Sequence, residues 1–165
     1  MDQIDERILA LLKENARMSA SDIGETINMS VSAVIERVKK LEASGIIKQY
    51  TVILDAQKIG KDISAFISVS LEHPKYNEGF QKIVREHPDI AQCYYITGDF
   101  DYLLKVVTES TALLEKVLDT IKSIQGVSLT KTIVVFSAIK EEYAALPLSR
   151  GVNDKPGKKP PHNRV

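Results

Sequence analysis

The sequence contains one cysteine, Cys93, among 165 residues. A single thiol excludes an intrachain disulfide and a cysteine-based zinc site, and it fits a reducing, cytoplasmic setting; we expect Cys93 to pack in the core. No apolar run approaches the roughly 20 residues of a membrane helix, so no membrane partner is expected. The histidines His73, His87 and His162 are scattered, and no metal spacing or phosphate-binding glycine loop is present. We therefore predict no enzyme activity, no metal and no cofactor.

Two short helices joined by a tight turn are predicted between residues 19 and 45. Ser19 followed by Asp22 is a capping-box pattern that begins the first helix, and Ser30 is a favourable N-cap for the second. Gly24 lies inside the first helix, where glycine is unfavourable, and this predicts the close approach of a second helix. The second helix is expected to bury an apolar stripe formed by Val31, Val34, Ile35, Val38 and Leu41.

The opposite face of the second predicted helix carries small polar residues first and charged residues further along. This order suits a helix lying in the major groove of DNA, although the spacing fits a helical hairpin with a solvated face about equally well. In the DNA-binding interpretation, Ser32 and Ala33 approach base edges, while Arg37 and Lys39 mainly meet phosphate. The full predicted set is Ser30, Ser32, Ala33, Glu36, Arg37, Lys39 and Lys40.

The charge of the chain is balanced, with 22 basic and 22 acidic residues, so the chain as a whole is not a polycation. Between residues 31 and 50 the balance is locally basic, because four cations stand there against two acidic residues. We therefore expect weak binding to double-stranded DNA by each subunit, and an affinity that is built by joining subunits.

Residues 46–54 are rich in β-forming side chains and predict a strand directly after the second helix, which is the order of a winged helix-turn-helix. At this point the sequence resembles the DNA-binding half of the Lrp/AsnC, or feast/famine, transcriptional regulators. A second motif, residues 98–102, resembles the effector-loop signature of the same family, and the resemblance covers residues 1 to about 148. In the first half it is carried by Asn15, Arg17, Ser19, Ile23, Gly24, Met29, Ser30, Val34, Arg37, Val38, Leu41, Glu42, Gly45, Ile46 and Ile47.

The second half of the chain predicts the order β-α-β-β-α-β, which is the ferredoxin-like split unit. Its strands are expected at residues 63–71, 90–97, 102–108 and 127–138, and its helices at 76–87 and 110–124. We therefore predict an α+β fold with a winged helix-turn-helix domain over residues 1–54 and a linker over 55–62. A ferredoxin-like domain for effector binding and oligomerisation would follow over 63–146. Residues 147–165 are rich in Pro, Gly and Lys, which predicts a disordered tail.

Two helices can cover only one face of the predicted four-stranded sheet, and the other face also includes apolar residues. A second copy of the same sheet is the simplest cover, and it would form an isologous homodimer. The family resemblance implies the same dimer. We expect it to assemble further into larger even-numbered oligomers.

The segment from Gly98 to Tyr102 is the best candidate for a binding site. Gly98 permits a positive φ. Asp99 and Asp101 lie near each other on a turn, and a cation such as an α-ammonium would stabilise their two charged carboxylates. The alternative is a hairpin in which these residues serve only turn geometry. The resemblance implies a small amino-acid effector bound around this loop, between dimers. The residues carried over are Gly98, Asp99, Asp101 and Tyr102, with Thr132, Ile133, Val134 and Val135 as a second wall.

These observations predict a sequence-specific DNA-binding transcriptional regulator that responds to a small amino acid. Two alternatives remain at this level. One is an enzyme similar to the haem-pathway decarboxylases that resemble this family, although no His/Arg cluster suited to tetrapyrrole carboxylates is evident. The other is a DNA-organising protein without an effector.

Overall fold

The computed structural model describes residues 1–141, which divide into two units, Met1–Thr51 and Val52–Glu141. The predicted disordered tail at 147–165 and the last residues of the predicted second domain lie outside the described residues.

Three helices form the first unit: α1 (Gln3–Glu14), α2 (Ala20–Ile27) and α3 (Val31–Ala43). Each begins at a side-chain cap, as the local sequence predicts. The capping box of Ser19 and Asp22 is present in α2, and the Ser30 hydroxyl accepts the Ala33 N–H of α3 at 3.3 Å. The helices enclose a core of buried side chains: Ile8, Ile23, Ile27, Val34 and Leu41.

The turn between α2 and α3 explains why Gly24 is a glycine. Asn28 adopts the left-handed conformation (φ 58°), and the Met29 N–H donates to the Gly24 carbonyl at 2.8 Å. A Cβ at Gly24 would lie 2.6 Å from the Met29 carbonyl oxygen, but 3.7 Å from the nearest atom of α3, which belongs to Val34. The second helix does approach to contact distance, as predicted, but the tight contact that requires a glycine is made by the backbone of the turn.

Gly24→Ala is expected to lower the free energy of unfolding by about 1–3 kcal/mol, the usual range for overpacking, because its methyl group would meet the Met29 carbonyl. Gly79→Ala is a matched control, since Gly79 also lies in a helix and a Cβ there meets nothing within 4 Å. The control should raise stability by up to about 1 kcal/mol. Urea unfolding measures both changes, and a Gly24→Ala variant as stable as the wild type would contradict the contact.

Within residues 1–141, the strand predicted at residues 46–54 is not formed. The described residues contain one sheet, and its four strands do not include this segment. The Ile47 N–H instead donates back to the Leu41 carbonyl at 3.1 Å, and Val52, Ile53 and Leu54 are exposed. Within the described residues, the sheet does not take up this segment, so its β-propensity alone does not decide its conformation.

Residues 55–62, predicted as a linker, belong to the second unit, because the division of the chain falls after Thr51. A short 3-10 turn, Gln57–Ile59, is followed by Lys61. The Lys61 Nζ lies 2.9 Å from Asp89 Oδ1 and 3.5 Å from Glu109 Oε1. These ion pairs attach the segment to the second unit, so it is not a free connection.

The second unit has the predicted order of elements. Its strands form one antiparallel sheet in the order β2-β3-β1-β4, and its two helices are crossover connections. The second and fourth strands are shorter than predicted. The elements are β1 (Ile63–Leu71), α4 (Asn77–Glu86), β2 (Ile90–Tyr95), β3 (Tyr102–Thr108), α5 (Thr111–Ser123) and β4 (Val127–Val134).

Alternation along the strands separates the two faces of this sheet. One face packs against α4 and α5 and forms a core that includes Ala65, Ile67 and Val69 of β1 and Leu104 and Val106 of β3. Cys93 lies opposite Leu104 but is exposed, because β2 is an edge strand. The prediction that this thiol packs in the core is therefore wrong.

The other face of the sheet, which we call the open face, lies away from α4 and α5. Its pairs include Phe66 with Ile133, and the Lys105 cation on this face pairs with Glu141 at 3.0 Å. The predicted uncovered apolar face is therefore present in the described chain. Its apolar members are Phe66, Tyr94, Leu103, Val107, Leu129 and Ile133.

Candidate DNA-binding surface and effector loop

The exposed side of α3 carries most of the predicted DNA-binding residues. Ser32, Glu36 and Lys39 are exposed, and Ala33 is half-buried. The Ser30 hydroxyl serves as the helix cap and lies 3.2 Å from the Ser32 hydroxyl. Ser30 therefore has a local structural role as a helix cap, while Ser32, Glu36 and Lys39 point outward from the helix.

Lys40 and Glu36 form an ion pair one helical turn apart, with Nζ 2.8 Å from Oε1. The hydrogen bond and charge of Lys40 lower the pKa of the Glu36 carboxyl. Both side chains are largely exposed, and such a pair contributes little to stability. Lys40 can therefore exchange this carboxylate for a phosphate at small cost.

Arg37 makes an intramolecular contact that the sequence does not predict. Its Nη1 lies 2.7 Å from Asp2 Oδ2 and 2.7 Å from Asp5 Oδ1, both at the beginning of α1. Hydrogen bonds to Asp2 and then to Asp5 raise the pKa of the Arg37 guanidinium. The prediction that Arg37 mainly meets phosphate finds no support in these contacts, because two carboxylates from a distant part of the sequence already neutralise it.

The helical spacing predicts core positions for two apolar side chains of α3 that are exposed in the structure. Val31 is 44% and Ile35 is 42% exposed, whereas Val34 and Leu41 are buried. The seven-residue interval between Val34 and Leu41 marks the centre of the packed face, and it is the sequence signal that identifies the buried residues of α3. Val31 and Ile35 lie one helical turn apart on the same side of Ser32, where exposed apolar side chains can contact thymine methyl groups.

The predicted effector loop connects β2 to β3. Asp101 is fixed at three points: its Oδ2 accepts the Leu71 N–H at 2.7 Å, its N–H donates to Val69 at 3.0 Å, and its carbonyl accepts the Ile96 N–H at 2.8 Å. Gly98 has φ +117° and is exposed. The end of the loop at Asp101 is thus held by hydrogen bonds, whereas the end at Gly98 is accessible.

The accessible end of the loop has hydrogen-bonding capacity to spare. Within residues 1–141, the backbone N–H groups of Gly98, Asp99 and Phe100 have no hydrogen-bond partner. The Asp99 side chain is exposed, and its carbonyl accepts the Ser70 hydroxyl at 3.3 Å. Unpaired N–H donors and two carboxylates therefore lie within a few residues of each other.

Tyr102 follows this loop directly, and its side chain packs in the core of the second unit. Its side chain is 1% exposed, its ring centroid lies 4.6 Å from that of Phe80, and its hydroxyl accepts the Gln81 amide at 3.0 Å. As the residue opposite Val69 it points into the helix-covered face. Its predicted place among effector-contacting side chains is corrected accordingly, because the ring is part of the core.

The predicted second wall does not meet the loop within one chain. Thr132 to Val134 are the last residues of β4, and they pair with Ile67 to Ala65 of β1. The loop instead lies against Val69 and Leu71. These pairing partners lie two to four residues of β1 from Val69, or about 7–13 Å along the strand, and the alternating side chains of β4 point to opposite faces. Val135 follows the strand and donates to Ser64 at 2.8 Å.

Comparison with known proteins decides the family. Residues 1–48 match the model of the winged helix-turn-helix DNA-binding family, and residues 64–145 match that of the Lrp/AsnC ligand binding domain. The HTH-type transcriptional regulator LrpC of Bacillus subtilis is 39% identical over 139 residues, which are 84% of this chain and 94% of that protein. The chain belongs to the Lrp/AsnC family of transcriptional regulators.

Other members of the Lrp/AsnC family agree with this assignment. The HTH-type transcriptional regulator FL11 of Pyrococcus furiosus is 33% identical over 141 residues, covering 86% of this chain and 93% of that protein. The solved structure of the transcriptional regulator NMB0573 of Neisseria meningitidis, a complex with L-Met, has a TM-score of 0.84 and 34% identity. The match covers 90% of this chain and 97% of that one.

No helix within residues 1–141 of this Lrp/AsnC regulator is long and apolar enough to cross a membrane.

Proposed function

We propose that this chain is a cytoplasmic DNA-binding regulator whose assembly and DNA affinity respond to a small amino acid bound at the loop of residues 98–101. The proposal rests on the presence of two kinds of group in one loop: the unsatisfied N–H groups of Gly98, Asp99 and Phe100, and the carboxylates of Asp99 and Asp101. An α-amino acid offers a carboxylate for such N–H groups and an ammonium for such carboxylates. Both contacts are charge-assisted, which makes them short and strong.

The proposed site is completed by a second subunit. Thr132 to Val134 pair with Ile67 to Ala65 of β1, about 7–13 Å along that strand from Val69, which the loop contacts. We therefore expect the loop of one chain and the β4 segment of another chain to enclose the ligand together. A second dimer can bring its own segment to the loop. An effector bound between dimers would have different affinities for different assemblies, and this difference lets a ligand shift their populations.

DNA recognition is assigned to α3. We assign base-edge contacts to Ser32, Val31 and Ile35 and a phosphate contact to Lys39, because all four side chains are exposed on this helix. Among the described residues, Lys39 takes part in no ion pair. Each recognition helix carries few such cations, so specific binding would depend on several subunits acting together.

A thermal-shift screen over the twenty amino acids, repeated with duplex DNA carrying a selected binding sequence, tests the proposed function. One or a few amino acids are expected to raise the melting temperature, since a ligand that binds only the native state stabilises it. Sedimentation velocity with and without that amino acid should show a change of assembly.

The same measurements separate the alternatives. DNA binding with no shift for any amino acid would contradict effector control and favour a DNA-organising protein. A visible absorption band in the purified protein would favour the decarboxylase-like enzyme. Failure to select any duplex would contradict the proposed role in DNA recognition.

A further inference from the structure

Arg37 completes a closed set of hydrogen bonds at the beginning of α1. Asp2 Oδ1 accepts the Asp5 N–H, and Asp5 Oδ2 accepts the Asp2 N–H, each at 2.9 Å. The remaining oxygens, Asp2 Oδ2 and Asp5 Oδ1, both accept from Arg37 Nη1 at 2.7 Å. All four carboxylate oxygens of the capping box therefore have a partner, and two of these oxygens are satisfied from the recognition helix.

The environment of this cluster favours keeping Arg37 in place. The side chain of Asp5 is 15% exposed and that of Arg37 is 28% exposed, so the contact is partly shielded from water. If Arg37 moved to a phosphate, the two neighbouring carboxylates would repel each other without a counter-ion. Removing one member of a shielded ion pair costs far more than removing an exposed one.

We propose that Arg37 is a positioning residue, which holds α3 against the N-terminus of α1 and sets the angle at which the helix meets DNA. The inference rests on the proposed DNA-binding function, and it assigns phosphate contact to the exposed Lys39 and not to Arg37. Asp2 and Asp5 then belong to the DNA-binding apparatus although they are acidic. Simple electrostatics predicts the opposite, since two carboxylates near DNA would only weaken binding.

The full-length chain with Asp2→Asn and Asp5→Asn together is the decisive variant. Asparagine remains a good N-cap, and its amide oxygen can still accept a backbone N–H, so α1 should keep its beginning. The two changes make the net charge near α3 more positive by two. If Arg37 positions the helix, binding to a duplex selected by the wild type should weaken by about tenfold, within the range of couplings between contacting groups.

Arg37→Met and Lys39→Met form a matched pair two residues apart on the same helix. Binding is measured at several salt concentrations on the selected duplex and on a scrambled duplex of equal composition. Lys39→Met should reduce the salt slope by about 0.9 on both duplexes, as the loss of one phosphate contact requires. Arg37→Met should lose affinity for the selected duplex and leave the salt slope unchanged.

Two results would overturn the positioning role: a salt slope reduced by Arg37→Met as it is by Lys39→Met, or a double asparagine variant that binds the selected duplex as tightly as the wild type. Circular dichroism checks that each variant is folded. If Arg37→Met does not fold, the double asparagine variant decides. A wild-type chain that selects no duplex would instead remove the proposed DNA-binding function itself, and the positioning role with it.

Discussion

Asp101→Ala is expected to abolish the response to the amino-acid effector, while DNA binding without effector remains. The substitution removes the carboxylate proposed to meet the ligand ammonium, and it also removes the acceptor of the Leu71 N–H. Truncating one partner of a hydrogen-bonded charge pair typically costs about 2–5 kcal/mol, or roughly a factor of 30 or more in affinity. Calorimetry with the amino acid found in the screen measures the binding, and sedimentation velocity measures the assembly.

Asp101→Asn is the matched control for this prediction. The amide oxygen can still accept the Leu71 N–H, so the loop should keep its shape while the negative charge is lost. If charge attracts the effector, the asparagine variant should also lose most of its affinity, whereas a purely structural role predicts that it retains affinity. Wild-type effector binding and a normal change of assembly in Asp101→Ala would show that the loop is only a turn.

Phe66→Asp is expected to convert the assembly into monomers. Phe66 lies on the central strand β1 in the open face. It is directly opposite Ile133 of β4 and diagonal to Leu103 of β3. Burying an unpaired carboxylate against a second sheet costs several kcal/mol, so the dimer dissociation constant should rise by about a hundredfold or more. Sedimentation velocity at micromolar concentration should show dimers or larger even-numbered species for the wild type and monomers for the variant.

Thr111→Asp provides the control for Phe66→Asp. It adds the same charge at the first residue of α5, an exposed position where a carboxylate is favourable, and it should leave the assembly unchanged. DNA binding by Phe66→Asp should also weaken strongly, because the avidity of joined recognition helices is lost. A wild-type monomer at micromolar concentration, or a Phe66→Asp dimer, would contradict the proposed use of the open face.

The sequence alone determined the local features of this protein. The caps at Ser19 and Ser30 were predictable, and β3 has the predicted bounds, because each depends on side chains within a few residues of the backbone groups that they satisfy. The apolar and polar residues that alternate along β1 match its buried and open faces, since successive side chains of a strand point to opposite faces. The two motifs at residues 15–47 and 98–102 were sufficient to indicate the family.

Only the tertiary structure decided which of these local features meet. Arg37 is separated from Asp2 by 35 positions, and no helical spacing relates α3 to the beginning of α1. Tyr102 belongs to the loop motif, but its place opposite Val69 puts its ring in the core. Residues 46–54 have the composition of a strand but do not join the sheet of the described chain, and Thr132 to Val134 pair with Ile67 to Ala65 and not with the residues that the loop contacts. In each case the outcome depends on contacts between distant parts of the chain, which propensity and periodicity do not encode.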